Sequence, residues 1–334
     1  MHTEVLTVDR QHPDMGRIAR AAAVLRGGGL AAFPTETVYG LGANALDPVA
    51  VSRIFAAKDR PANNPIIVHV SDAAAAAQIV AAWPQSAARL AERFWPGPLT
   101  LVLPKAAGLP DAVTAGGPTV AVRVPAHPVA LALIRAAGVP VAAPSANRSG
   151  YLSPTCAEHV VAGLDGRIEI VLDAGPVPGG IESTVLDLSS DLPRLLRPGL
   201  LSVADLRSIV GPIDLPKASP PPHERPMPSP GMLSRHYAPR TPLELVADGG
   251  RQRVEELRRA GLRVGWLVFD HPAPDQEGVS VVVMPGNVRE YAARLYAALH
   301  ALDAAGLDRL VAELPPDSQE WLAVRDRLRR AAAV

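Results

Sequence analysis

The chain has 334 residues, 48% of them hydrophobic and 20% charged, enough for one large core and a second, smaller one. Its 33 basic residues balance its 33 acidic ones, so no whole-molecule field favours nucleic acid or an anionic membrane, and only a local basic cleft stays open to an anionic ligand. The single cysteine, Cys156, excludes an internal disulfide and every multi-cysteine zinc or iron–sulfur pattern, and it reads as an ordinary buried thiol.

The opening MHTEVLTVDRQHPD lacks the basic, apolar, small-residue order of a signal peptide. No apolar run approaches the ~20 residues that span a bilayer, so a cytoplasmic protein is expected. From Gly16 to about Val210 short apolar runs alternate with alanine-rich amphipathic stretches, the pattern of a layered α/β domain. Strands are expected at residues 30–33, 66–70, 99–103, 120–124, 139–142, 168–172 and 184–188. Helices are expected at 16–26, 49–58, 73–81, 85–94, 128–137, 155–162 and 203–210, the last opened by Ser202 as a cap. The irregular, partly hairpin-like spacing points to a mixed twisted sheet rather than a doubly wound one. The first dozen residues are left out of the fold.

Between Gly211 and Pro242 proline becomes dense, with Pro220, Pro221, Pro222, Pro226, Pro228 and Pro230. Regular structure is excluded there, so the chain divides into a first domain at 1–210, a semi-rigid linker at 211–242 and a small α/β domain of Rossmann-like order at 243–334. In the last part strands are expected at 243–246, 263–269, 280–283 and 309–313, and helices at 252–260, 287–305 and 318–333.

The usual nucleotide signatures are missing: there is no G-x-x-x-x-G-K-[ST], and Gly27-Gly28-Gly29 does not extend into G-x-G-x-x-G. Another route to a polyphosphate is Lys58-Asp59-Arg60-Pro61-Ala62-Asn63-Asn64-Pro65, where two cations leave a helix end beside amide side chains. A basic helix C-cap explains that segment equally well. Thr35-Glu36-Thr37-Val38-Tyr39-Gly40-Leu41-Gly42 joins hydroxyls and a carboxylate to glycines that let backbone approach a ligand.

Ala143-Pro144-Ser145-Ala146-Asn147-Arg148-Ser149-Gly150 and Ser153-Pro154-Thr155 gather hydroxyl, amide and guanidinium groups ahead of a helix, where an anion site or a plain capped turn can form. Arg123 and Arg197 sit in apolar strands, so each should meet an acid or an anionic ligand. His69 within Ile66-Ile67-Val68-His69-Val70 reads by itself as a structural strand histidine, and no HExxH or Asp/His pair supports a metal or hydrolase site.

Taken in order, FPTETVYGLGANA, KDRPANNPIIVHV, FWPGPLTLVL, VAVRVPAHP, APSANRSGYLSPT, IESTVLDL, LLRPG and PSPGMLSRHYAPRTP closely resemble the threonylcarbamoyl-AMP synthase family, over roughly residues 15–242. The resemblance implies a YrdC-like twisted mixed sheet, and the linker with its HYAP motif points to the longer, two-domain branch. It implies condensation of L-threonine, bicarbonate and ATP into threonylcarbamoyl-AMP with release of pyrophosphate, Mg2+ being held by ATP oxygens rather than by protein ligands. A separate transferase would carry the group to tRNA.

Carried over motif by motif, Thr35 or Thr37, His69, Arg123, Ala143 through its backbone and Ser183 would form the threonine site. Arg60, Asn64, Thr119, Ser145, Asn147, Ser153, Arg197 and Tyr237 would form the ATP site, with Lys58 and Arg60 stabilising charge in catalysis. Leu233-Ser234-Arg235 departs from relatives that carry a lysine and an aromatic residue there. The linker is expected to fold over the cleft as a water-excluding lid. An RNA-binding or ribosome-associated module of the same domain type lacks support from the balanced charge, and the carbamoyl chemistry of hydrogenase-maturation proteins needs zinc modules that one cysteine cannot build.

Overall fold

The computed structural model describes residues 2–215, 236–272 and 277–333. In chain order the elements are β1 (Glu4–Thr7), α1 (Met15–Arg26), β2 (Ala31–Pro34), β3 (Tyr39–Asn44), α2 (Pro48–Lys58), β4 (Ile67–His69), α3 (Ala73–Gln78), α4 (Gln85–Phe94) and β5 (Leu99–Pro104). They continue through α5 (Asp111–Thr114), β6 (Thr119–Arg123), α6 (Pro128–Ala137), β7 (Val141–Ala142), α7 (Ala157–Leu164), β8 (Ile170–Asp173), β9 (Thr184–Asp187), β10 (Arg194–Arg197) and α8 (Val203–Val210). The remainder is β11 (Leu243–Val246), α9 (Arg251–Arg259), β12 (Val264–Phe269), β13 (Val279–Met284), α10 (Val288–Ala304), β14 (Arg309–Glu313) and α11 (Leu322–Ala331).

Strands β1 to β10 form one sheet in the order β1-β8-β2-β3-β7-β4-β6-β5-β9-β10. Antiparallel neighbours such as β2/β3 and β5/β6 alternate with parallel ones such as β4/β6 and β5/β9, so the sheet is mixed, as its spacing predicts. The second sheet, β11-β14-β12-β13, is parallel throughout. Local chemistry sets the helix starts: Asp14 accepts from the Arg17 amide, Asp47 accepts from Val49 with Pro48 in the first turn, and Ser202 accepts from Asp205. No helix among the described residues is long and apolar enough to cross a membrane.

The structure departs from the expected elements in several places, among them the short helix α5, which no expectation covered. Residues Glu4–Thr7 are an edge strand paired with β8, though they sit in the dozen left out. Its sequence, Glu-Val-Leu-Thr, offers only two adjacent apolar residues, too short a run to signal a strand, although the fold half-buries alternate positions. Tyr39–Asn44 is a nearly buried strand rather than a ligand loop; a Cβ on Gly42 would lie 2.9 Å from both the Phe33 ring and Val141, so the glycine serves packing between strands. The strand on which Arg197 was expected, though given no bounds among the expected strands, is the edge strand β10 (Arg194–Arg197), with Arg197 at its end. The helix expected from 155 begins at Ala157.

Side-chain alternation decides where a cleft can form. Val68, Leu101, Val122 and Leu186 face a core covered by α2, α4 and α8. On the opposite face α1 and α6 pack over β2 and β8, through Ile18, Leu25, Leu133 and Ile134. They leave the strip of Ile67, Val102, Ala121, Val185 and Leu196 as a separate apolar floor. The second half of the chain packs against loops of the first: Val38, Leu152, Ile181 and Tyr237 share one core with Leu295, Tyr296, Leu299 and Leu328.

Candidate functional site

The floor strip opens into a cavity lined by Thr35, Thr37, Arg60, Ile67, His69, Arg123, Ala143, Ser145, Glu182, Ser183, Arg197, His236 and Tyr237, among others. His69 ends β4 and Arg123 ends β6, directly paired in parallel register, so both side chains leave the sheet at one place. There the turn after β2 meets them. Thr35 Oγ1 donates to the Val38 carbonyl at 2.6 Å and accepts the Val38 amide, and the two threonine hydroxyls are 2.8 Å apart.

Arg123 donates Nε to the Gly97 carbonyl at 3.1 Å and Nη1 to Thr37 Oγ1 at 3.0 Å. Its Nη2 lies 2.6 Å from Glu36 Oε1, the acidic partner its strand position demands. Burial, reinforced by the Arg123 charge, pushes His69 down to about 3, so the imidazole is neutral near pH 7 and its buried Nδ1 has no hydrogen-bond partner among the described residues.

Arg60 and Arg197 mark the other end. Arg60 is anchored through Nε to the Asn64 carbonyl at 3.1 Å and through Nη2 to the Pro65 carbonyl at 2.7 Å, and burial lowers it only to about 10, so it stays cationic. Arg197 donates to the Ser183 carbonyl at 3.1 Å and to Ser183 Oγ at 3.2 Å. Neither has a carboxylate within 4.0 Å among the described residues, whereas the other cations at the site are matched: Arg123 by Glu36, and Arg327 by Glu182 at 2.7 Å. Two unmatched guanidinium groups in a buried wall form an attractive field for a polyanion.

Tyr237 closes this end with a positive φ of 62° and a buried hydroxyl that has no hydrogen-bond partner among the described residues. His236 packs edge-on against it, and burial pushes that imidazole to about 3.

Ten of the expected site residues therefore meet in one wall: Thr35, Thr37, Arg60, His69, Arg123, Ala143, Ser145, Ser183, Arg197 and Tyr237. Five do not line it. Lys58 is buried behind, with Nζ donating to the carbonyls of Ser145 at 2.6 Å and of Asn147; burial and then the Arg60 charge drive its ammonium far below the usual lysine range. Asn64 offers Arg60 its carbonyl, and its side-chain amide is buried without a partner. Asn147 turns its amide to the Arg148 and Tyr151 carbonyls. Thr119 shares the face of Ala121 and Arg123 by alternation but lies at the far end of β6.

Ser153 corrects the expected helix-end anion site, because α7 starts beyond it and its hydroxyl donates to the Glu182 carboxylate. Residues 216–235, which carry most of the expected lid and the Leu233-Ser234-Arg235 departure, lie outside the described residues. Glu36, Glu182 and His236 stand in quoted motifs without an assigned role, and Arg327 carries no local signal beyond being a cation between buried Val324 and Leu328.

Fold and cleft together define a two-domain α/β protein with a buried cleft whose wall carries Arg60, Arg123 and Arg197 and to which residues of the second core add Tyr237. A family model described as "Telomere recombination" matches residues 23–199, and a second, described as the threonylcarbamoyl-AMP synthase C-terminal domain, matches residues 201–333. The threonylcarbamoyl-AMP synthase of Bacillus subtilis is 46% identical over 95% of this chain and 93% of its own, and that of Pyrococcus abyssi 43% over 97% and 96%. The crystal structure of the P. abyssi Sua5 protein complexed with L-threonine superposes with a TM-score of 0.91 at 43% identity, covering 99% of this chain and 98% of that one. The chain belongs to the threonylcarbamoyl-AMP synthase family.

Proposed function

We infer that this chain joins L-threonine, bicarbonate and ATP into threonylcarbamoyl-AMP with release of pyrophosphate, a nucleotidyl transfer that serves threonylcarbamoyladenosine formation in tRNA. The observation that carries the reading is the division of one cleft into a charge-matched end, where Arg123 meets Glu36, and an end where neither Arg60 nor Arg197 has a carboxylate within 4.0 Å among the described residues. The first end suits a zwitterionic amino acid: Arg123 has donors left for a carboxylate, while Thr37, Ser183 and neutral His69 stand around a side-chain hydroxyl. The second suits a triphosphate.

The threonine amine condenses with bicarbonate, forming the N–C bond of a carbamate as one C–O bond breaks and water is lost, and a carbamate oxygen then attacks the α-phosphorus in line while pyrophosphate leaves. Such a step asks for positioning and charge neutralisation rather than a protein nucleophile, and Arg60, cationic at neutral pH, faces the phosphates. Lys58 acts by holding the 145–147 turn against α2. Magnesium would travel on ATP oxygens, Glu36 and Glu182 both being committed to arginines.

The product is an activated acyl donor, so a tRNA-directed transferase must consume it, and the cytoplasm is the compartment the reading implies. The rival RNA-binding reading is not favoured, because the cations that matter face inward. Pyrophosphate release is the test: release requiring both threonine and bicarbonate supports the synthase, whereas release that ignores either substrate refutes it.

A further inference from the structure

Arg327 is the most deeply buried charge of the second half of the chain, with no exposed surface. An arginine there is costly unless every part of it is used. On α11 its Nε donates to Glu182 Oε2 at 2.7 Å, its Nη2 to the Pro198 carbonyl at 3.0 Å and its Nη1 to Asp326 at 2.7 Å, while the guanidinium carbon lies 5.0 Å from the centre of the Tyr237 ring.

Glu182 in turn accepts Ser153 Oγ and the Tyr296 hydroxyl, the latter at 3.2 and 3.3 Å to its two oxygens. Burial works to raise the Glu182 carboxyl, but the charges of Arg327 and Arg197 outweigh it, and the group is held below its ordinary value. One guanidinium thus fixes a carboxylate in the cavity wall and, on its π face, the tyrosine that closes the polyanion end. Pro198, the third anchor, follows Arg197 directly in the chain.

We propose that Arg327 is a positioning residue supplied by the C-terminal domain, setting the geometry of Tyr237, Glu182 and Arg197 so that the nucleotide end of the cleft is complete only when that domain is docked. This rests on the assignment of the Arg60, Arg197 and Tyr237 end to ATP. A residue that merely glues two domains together would affect both substrates alike. A positioning residue for one end affects one.

The full-length chain is compared with its Arg327→Met, Arg327→Lys and Glu182→Gln/Arg327→Met variants. Arg327→Met should raise the KM for ATP by about tenfold or more while the KM for threonine changes by less than about twofold. Arg327→Lys, which keeps a cation over the ring but loses the planar fork, should recover part of it. The double variant, free of an orphaned carboxylate, should melt nearer the wild type yet keep the raised ATP KM. Equal rises in both KM values, or an ATP KM restored in the double variant, would overturn the proposal. A wild-type chain that released no pyrophosphate would instead sink the synthase reading; hydrogen exchange then still decides the positioning, since Arg327→Met must loosen the backbone around Ser153 and Tyr237, and unchanged protection there refutes it.

Discussion

Arg123→Met separates the structural from the functional share of the charge-matched end. The substitution removes donors to Gly97 and Thr37 and the 2.6 Å pair with Glu36, whose side chain is only 14% exposed. Orphaning a buried charge costs about 3–5 kcal/mol, and the Ala126 amide that Glu36 retains at 3.0 Å places the loss at the lower end, about 3 kcal/mol. In Arg123→Met/Glu36→Gln no charge is stranded, so most of that stability should return in urea denaturation.

Threonine recognition should not return. Loss of a charged clamp on a carboxylate should raise the threonine KM for pyrophosphate release by about a hundredfold, or about 2.7 kcal/mol, in the single and double variants alike, with the ATP KM little changed. Recovery of the threonine KM in the double variant would mean that Arg123 only balances Glu36, and the assignment of that end would fail.

Acid should destabilise the fold before the carboxylates titrate. His69 and His236 are each pushed from 6.5 to about 3 by burial, so below the unfolded value the unfolded chain binds protons that the folded chain refuses. Their contribution is therefore present above about pH 6.5 and lost as pH falls towards 3; between pH 7 and pH 5.5 the pair should cost about 2.5 kcal/mol, read as a lower urea midpoint. A slope unchanged when both are replaced by Gln would contradict it. Gly180→Ala tests the domain junction: its φ is +74° and a Cβ would stand 2.2 Å from the Ala292 carbonyl on α10, so the variant should lose about 2–3 kcal/mol and become sensitive to protease between the domains, while wild-type resistance would show that the junction yields.

Much of the cleft was legible because its residues come in short local motifs that sit at or just beyond the ends of neighbouring central strands. Arg123 and His69 illustrate this: each ends an apolar run, and parallel pairing of β4 with β6 sets them side by side. The demand that Arg123 find an acid could be read from burial cost alone, but that the acid is Glu36 depended on the turn after β2. Lys58 shows the opposite outcome. Its proximity to Arg60 in the chain suggests a shared role, yet the helix end sends one side chain into the cavity and the other behind it, onto the carbonyls of Ser145 and Asn147. Ser153 was read as a free helix-end hydroxyl because nothing local announces Glu182 as its partner.

The amino-acid sequence alone determined the layered α/β elements, their helix caps, the mixed sheet and the family motifs, because periodicity, capping and turn chemistry act over a few residues. Only the tertiary structure decided which faces of the sheet stay uncovered, which arginines are matched by carboxylates and which are not, and that α10 and α11 reach the cleft through Tyr296 and Arg327. Those outcomes hang on contacts between residues far apart in the chain, such as the 145 positions separating Arg327 from Glu182, and no local pattern encodes the partner of a buried charge at that distance.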